Sequence, residues 1–73
     1  MMYTAARWFS DEREFRQLCG DAQSQAPYEN GQNFAARMVI EAKTNGLKTR
    51  LSDGQLEWLC KLADWDLPQP VKT

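Results

Sequence analysis

The chain has 73 residues, which is enough for one small domain with a single hydrophobic core. With 42% hydrophobic and 26% charged residues it has the composition of an ordinary globular protein, which argues against intrinsic disorder. Nine Lys and Arg stand against ten Asp and Glu, so the formal net charge is −1. This balance argues against a protein that works mainly by neutralising phosphate, and equally against one that imitates the charge of DNA.

The absence of histidine and the spacing of the two cysteines exclude further kinds of catalytic and metal site. There is no histidine, which removes the commonest general base and the commonest metal ligand. Cys19 and Cys60 are too far apart in sequence to form a CxxC zinc motif. Residues 1–7 lack the apolar segment of a signal peptide, and no apolar run approaches the ~18 residues of a membrane span. We therefore expect a cytoplasmic, non-enzymatic protein with free thiols, no metal, no cofactor and no membrane partner.

The first predicted helix begins at Ser10, a good N-cap residue that two carboxylates follow. Its apolar face consists of Phe15, Leu18, Cys19 and Ala22. Gly20 weakens the helical pattern, so the helix either stops near Cys19 or continues to about Gln25. Pro27 ends it in both cases. Residues 1–9 before it fit an ordered arm or a short helical turn, with Trp8 docked on the core.

The second predicted helix runs from about Gln32 to Asn45, after a connection over residues 26–32. Its apolar stripe consists of Phe34, Ala35, Met38, Val39 and Ala42. Gly46 follows as a typical helix-ending residue with positive φ. Residues 47–51 are expected to form a short extended link.

The third predicted helix has the strongest start signal in the chain. Ser52 at the N-cap and Gln55 three residues later form a capping box. The apolar face consists of Leu56, Leu59, Cys60 and Ala63, widened by Trp58 and Leu62. The helix should end near Asp64 or Trp65, because Pro68 disfavours helical geometry at the residue before it.

These elements predict an all-α fold, a small bundle of three main helices in a single domain over residues 1–73. Residues 1–9 form an N-terminal arm and residues 66–73 a loose C-terminal tail. We expect the second and third helices to form the most ordered pair, with the first helix covering them. The domain could be a monomer or a homodimer.

The three tryptophans Trp8, Trp58 and Trp65 are the candidates for a protein-binding surface, because Trp is enriched at protein interfaces. Trp65 is the strongest candidate of the three. It ends the third helix between Asp64 and Asp66, whose carboxylates make deep burial of this segment costly. The alternative is that all three indoles belong mainly to the core.

A nucleic-acid-binding surface is the second hypothesis. It would use the basic cluster of Lys43, Lys48 and Arg50, with Thr49 donating a hydrogen bond to phosphate. The second and third helices also invite comparison with a helix-turn-helix motif. Their connection is longer than the motif's three or four residues, and the third helix is mostly acidic. A protein partner is therefore the favoured expectation.

One segment resembles a pattern that recurs in small bacteriophage and prophage proteins. The pattern is Phe34-Ala35-x-x-Met38, then Gly46, then Leu51-Ser52-x-x-Gln55-x-x-Trp58-Leu59, and it spans residues 34–59. The chain departs from it at Gly54, where related segments usually carry Lys or Glu. The resemblance implies a phage or mobile-element origin, and a role in docking on a host protein to modulate it.

Overall fold

In the computed structural model, which describes residues 2–71, three helices and a two-stranded sheet surround one core. The helices are α1 (Glu12–Gln25), α2 (Glu29–Asn45) and α3 (Asp53–Ala63). The strands are β1 (Met2–Thr4) and β2 (Arg50–Ser52), and two 3₁₀ turns cover Ala5–Arg7 and Gly46–Lys48. The prediction of three helices is confirmed. The all-α class is right only in part, because the N-terminal arm forms a strand.

The sheet joins the N-terminal arm to the link between α2 and α3. β1 and β2 run antiparallel, with Tyr3 opposite Leu51. The Ala5 N–H continues the pairing by donating to the Thr49 carbonyl at 2.9 Å. Leu51 is fully buried, so this face of the sheet packs on the core. The link predicted as simply extended is thus a 3₁₀ turn followed by a strand.

The N-cap of helix α1 lies one residue later than predicted. Its N-cap is Asp11, whose Oδ1 accepts a hydrogen bond from the Arg13 backbone N–H at 2.9 Å. Ser10 lies outside the helix. At the other end, the helix continues through the exposed Gly20 to Gln25, because the buried Ala22 still packs on the core beyond it.

Helix α2 begins at Glu29, three residues before the predicted start, so Asn30 and Gly31 are helical rather than part of a turn. Gly31 is buried beneath Leu62 of α3. A Cβ at position 31 would lie 3.0 Å from the Leu62 Cδ2 atom, a tight contact. The glycine therefore allows α2 and α3 to approach closely at this point.

Helix α1 makes the main helix–helix contacts, with α2 on one side and α3 on the other. The expectation that the first helix covers the other two agrees with these contacts, and the expectation that the second and third helices form the most ordered pair stays a prediction. The Trp65 indole contacts Asp21, and Leu62 lies beside Gly31. The end of α1, the start of α2 and the end of α3 consequently lie together at one end of the molecule. The sheet and both 3₁₀ turns lie at the other end.

The C-terminal segment that the structure describes, residues 65–71, has no helix or strand. It is tied to the N-terminal arm, because the Val71 N–H donates to the Arg7 carbonyl at 2.6 Å. The predicted arm and tail also include residues 1, 72 and 73, which lie outside the described residues. Within residues 2–71, no helix has both the length and the apolar character needed to cross a bilayer.

Candidate functional site

Trp8 belongs to the core. Its side chain is 6% exposed and follows the first 3₁₀ turn. The Tyr3 ring meets it edge to face, with the ring centroids 5.7 Å apart. The Arg7 guanidinium lies 4.1 Å from the centroid of the Tyr3 ring, a cation–π contact. Trp8 is thus a structural residue, which packs the N-terminal arm on the helices.

Trp65 is half-buried and connects α3 to α1. Its Nε1–H donates to Asp21 Oδ2 at 2.9 Å, and its backbone N–H donates to the Cys60 carbonyl at 2.9 Å. Asp64 makes the turn possible by adopting the left-handed conformation, with φ of 58°. Gln17 donates to the other carboxylate oxygen of Asp21 at 2.8 Å. The polar edge of the Trp65 indole is therefore occupied within the domain.

Trp58 is the most exposed of the three tryptophans, at 41%. It follows Leu56 by two residues, which places it on the side of α3 away from the core. The indole stacks across the α2–α3 seam on Phe34, with centroids 4.4 Å apart and ring planes inclined by 8°. Phe34 is half-buried against the core. We call Phe34 and Trp58 the aromatic pair, and it is the candidate contact surface.

The aromatic pair holds the indole in one orientation. Stacking on Phe34 occupies one face of the Trp58 ring, and 41% of the residue remains exposed to solvent. An offset stack of this kind contributes about 0.5–1.5 kcal/mol beyond the area that it buries. Because the ring is already fixed, little conformational entropy remains to be lost when a partner covers it.

The four residues of the alternative basic site fall into two groups. Lys43, Lys48 and Arg50 are exposed, and none of them forms one of the ion pairs found within residues 2–71. Thr49 is only 1% exposed. Its Oγ1 donates inward, 2.7 Å from the Gly46 carbonyl and 3.1 Å from the Glu41 carbonyl. The hydroxyl predicted to reach phosphate instead closes the end of α2.

Both cysteines are free and buried. Burial raises the pKa of the Cys19 thiol to about 12 and that of the Cys60 thiol to about 11. Neutral, enclosed thiols are poor nucleophiles. Over residues 2–71, no three Cys, Asp or Glu side chains are grouped closely enough to hold a metal ion.

A shallow, mixed-polarity groove lies beside the end of α2. It is lined by Glu12, Thr44, Asn45, Leu47 and Lys48. Every buried polar side-chain atom in the described part of the chain has a hydrogen-bond partner. The groove therefore offers no unsatisfied group that would point to a ligand.

Sequence reasoning named Trp58 but did not find Phe34 as its partner. The prediction that Trp58 widens the apolar face of the third helix is wrong, because a residue two positions after Leu56 lies on the opposite side of the helix, and this position was the available signal. Phe34 gave no such signal, because its spacing is that of an ordinary core residue. No protein-family model matches the chain, and the comparisons with curated proteins and with solved structures also give no match.

Proposed function

We propose that this chain is a non-enzymatic binding domain of bacteriophage or prophage origin, which acts in the cytoplasm by docking on a host protein and modulating it. The observation that carries the proposal is the aromatic pair. It presents an indole that is 41% exposed and stacked on a side chain of a neighbouring helix. Trp58 is therefore the central contact residue, with Phe34 as its support.

The binding free energy available from covering an indole favours Trp58 over the other two tryptophans. A Trp that a partner covers completely is a typical hot spot and contributes about 2 kcal/mol or more to binding. Trp8 has almost no surface left to cover. Trp65 has part of its surface free, but its Nε1–H is already bound to Asp21. We therefore assign Trp65 a secondary position at the margin of the contact surface.

Affinity capture from host lysate with quantitative mass spectrometry tests this proposal. The wild-type chain should enrich a specific protein, and Trp58→Ala should lose most of that enrichment while keeping its helical circular dichroism spectrum. Ile40→Ala is the matched control, because Ile40 is a 65% exposed apolar residue on α2. Equal enrichment by wild type and Trp58→Ala would contradict the proposal.

Nucleic-acid binding is the second candidate function. The observation in its favour is that Lys43, Lys48 and Arg50 are exposed without forming an ion pair within residues 2–71. Binding through phosphate contacts weakens steeply with salt, whereas binding through an aromatic surface does so much less. If the chain binds nucleic acid through this cluster, Lys48→Ala combined with Arg50→Ala should abolish that binding. If it docks on a protein through Trp58, the same double variant should leave protein capture unchanged.

A further inference from the structure

The charges of this chain are unevenly distributed between its two ends. Residues 17–36 and 62–71 contain no Lys or Arg. They contain four carboxylates, Asp21, Glu29, Asp64 and Asp66. The fold brings the end of α3 to the end of α1 and the start of α2, because Trp65 Nε1 lies 2.9 Å from Asp21 Oδ2 and Leu62 packs over Gly31. We call this part of the molecule the acidic end.

The aromatic pair is continuous with the acidic end along α3. Trp58 and Leu62 are spaced i and i+4, so they lie on one side of α3. Trp65 follows beyond the end of the helix, after the left-handed Asp64, and contacts Asp21 of α1.

Two cations lie one helical turn from the aromatic pair: Lys61 of α3, which pairs with Glu57 at 3.6 Å, and Arg37 of α2. An occupant that extends from the aromatic pair past Leu62 approaches Glu29, Asp64 and Asp66, none of which forms an ion pair within residues 2–71.

Resting on the proposed function, we infer that the partner presents a Lys- and Arg-rich segment to this surface. One of its Arg side chains stacks on the exposed part of the Trp58 indole, and its other cations face the acidic end. A guanidinium is the side chain best suited to an open indole, because it is planar, permanently charged and weakly hydrated. Arg7 already makes a contact of this kind with the Tyr3 ring in this domain.

The carboxylates of the acidic end would contribute to binding of a basic segment in two ways. Glu29, Asp64 and Asp66 are exposed and can meet cations of the partner directly. Asp21 is half-buried and accepts hydrogen bonds from Trp65 and Gln17, so it contributes charge rather than contact. Such complementarity mainly sets the choice of partner and the rate of association. An acidic segment would be repelled here, as would the phosphates of a nucleic acid.

The test measures fluorescence anisotropy with three labelled probes, the basic peptide RRLRRLRR, the acidic peptide EELEELEE and a short oligothymidylate. The basic peptide should bind the wild-type chain, and more weakly at about 300 mM than at about 50 mM NaCl. Trp58→Ala should lower its affinity about tenfold or more. Asp64→Asn with Asp66→Asn should lower it about threefold, and Asn tolerates the left-handed backbone at position 64.

Lys48→Gln with Arg50→Gln is the matched charge control, since it removes two charges from the opposite end and should not weaken binding of the basic peptide. Tighter binding of the acidic peptide or of the oligonucleotide would overturn the inference. The same holds if the basic peptide binds Trp58→Ala as tightly as wild type. If lysate capture depends on Trp58 but the basic peptide does not bind, the basic partner is excluded and the protein interface stands.

Discussion

Gly46 has a backbone conformation that a side chain would strain. Its φ is 56° and its ψ is −131°, at the junction between α2 and the following 3₁₀ turn. The carboxylate of Glu12 also occupies the space beside it, so that an added Cβ would overlap Glu12 Oε1. The backbone conformation is what requires glycine here, because the Glu12 carboxylate is the flexible end of an exposed side chain and can move aside.

Two glycine substitutions should change stability in opposite directions. Gly46→Ala should lower the free energy of unfolding by about 2 kcal/mol or more. Gly20→Ala should raise it by about 0.5–1 kcal/mol, because Gly20 is exposed within α1 and has no neighbour within 4 Å of an added Cβ. Urea unfolding of the two variants checks this. Equal effects of the two substitutions would contradict the assigned backbone at Gly46.

The buried thiols should make the domain less stable at alkaline pH. In the unfolded chain a thiol ionises near pH 8.5, whereas in the folded protein burial raises the pKa of Cys19 to about 12 and that of Cys60 to about 11. The unfolded state therefore loses these protons first as the pH rises. The free energy of unfolding should fall above about pH 9, by up to about 1.4 kcal/mol per pH unit for each thiol.

Urea unfolding at several values between about pH 8 and about pH 10.5 measures this slope. The control is the double variant Cys19→Ala with Cys60→Ala, in which the remaining slope comes from other groups such as Lys and Tyr. The wild type should lose stability more steeply than the double variant. Identical slopes would show that the thiols are not protected from ionisation in the folded state.

At the scale of elements, the start of α3 is the feature that the sequence predicted best. Ser52 Oγ accepts from the Gln55 N–H at 3.1 Å, and Gln55 Oε1 accepts from the Ser52 N–H at 2.8 Å. Both partners lie within four residues, so local sequence is sufficient to define the cap. At α1 the same reasoning chose Ser10, because serine and aspartate are about equally good N-caps and stand side by side.

The two predicted caps give a matched experiment. Ser52→Ala should cost about 1 kcal/mol, because it removes the acceptor for the Gln55 N–H. In a domain of this size the melting temperature should fall by about 4–8 °C. Ser10→Ala should have little effect, because Asp11 caps α1. A larger loss from Ser10→Ala than from Ser52→Ala would contradict this assignment of the helix starts.

The strands and the start of α2 could not be predicted in the same way. β1 pairs with a strand almost fifty residues away in the sequence, and three residues of mixed polarity carry little signal of their own. Asn30 and Gly31 have the local pattern of a turn, yet they are helical because Leu62 packs over Gly31. In both cases a contact between distant residues decides the structure.

At the scale of the whole molecule, the three tryptophans could be named from sequence but not ranked. Trp65 was the strongest sequence candidate because carboxylates flank it. The fold instead gives it a partner in Asp21, which lies 44 residues earlier in the chain. Trp58 is the most exposed of the three indoles, and its stacking partner Phe34 lies on another helix, so the sequence of α3 alone does not reveal the contact. Ranking the exposed surface of these residues requires the packing of all three helices.

The most direct test of the proposed docking surface is an NMR titration of the isotope-labelled domain with the protein that it captures. The three indole N–H signals report on Trp8, Trp58 and Trp65 separately within one experiment. We expect the Trp58 indole and the Phe34 ring to change most, the Trp65 indole less, and the Trp8 indole and the Lys48 and Arg50 amides least. Changes centred on Lys48 and Arg50, with an unaltered Trp58 indole, would contradict the account.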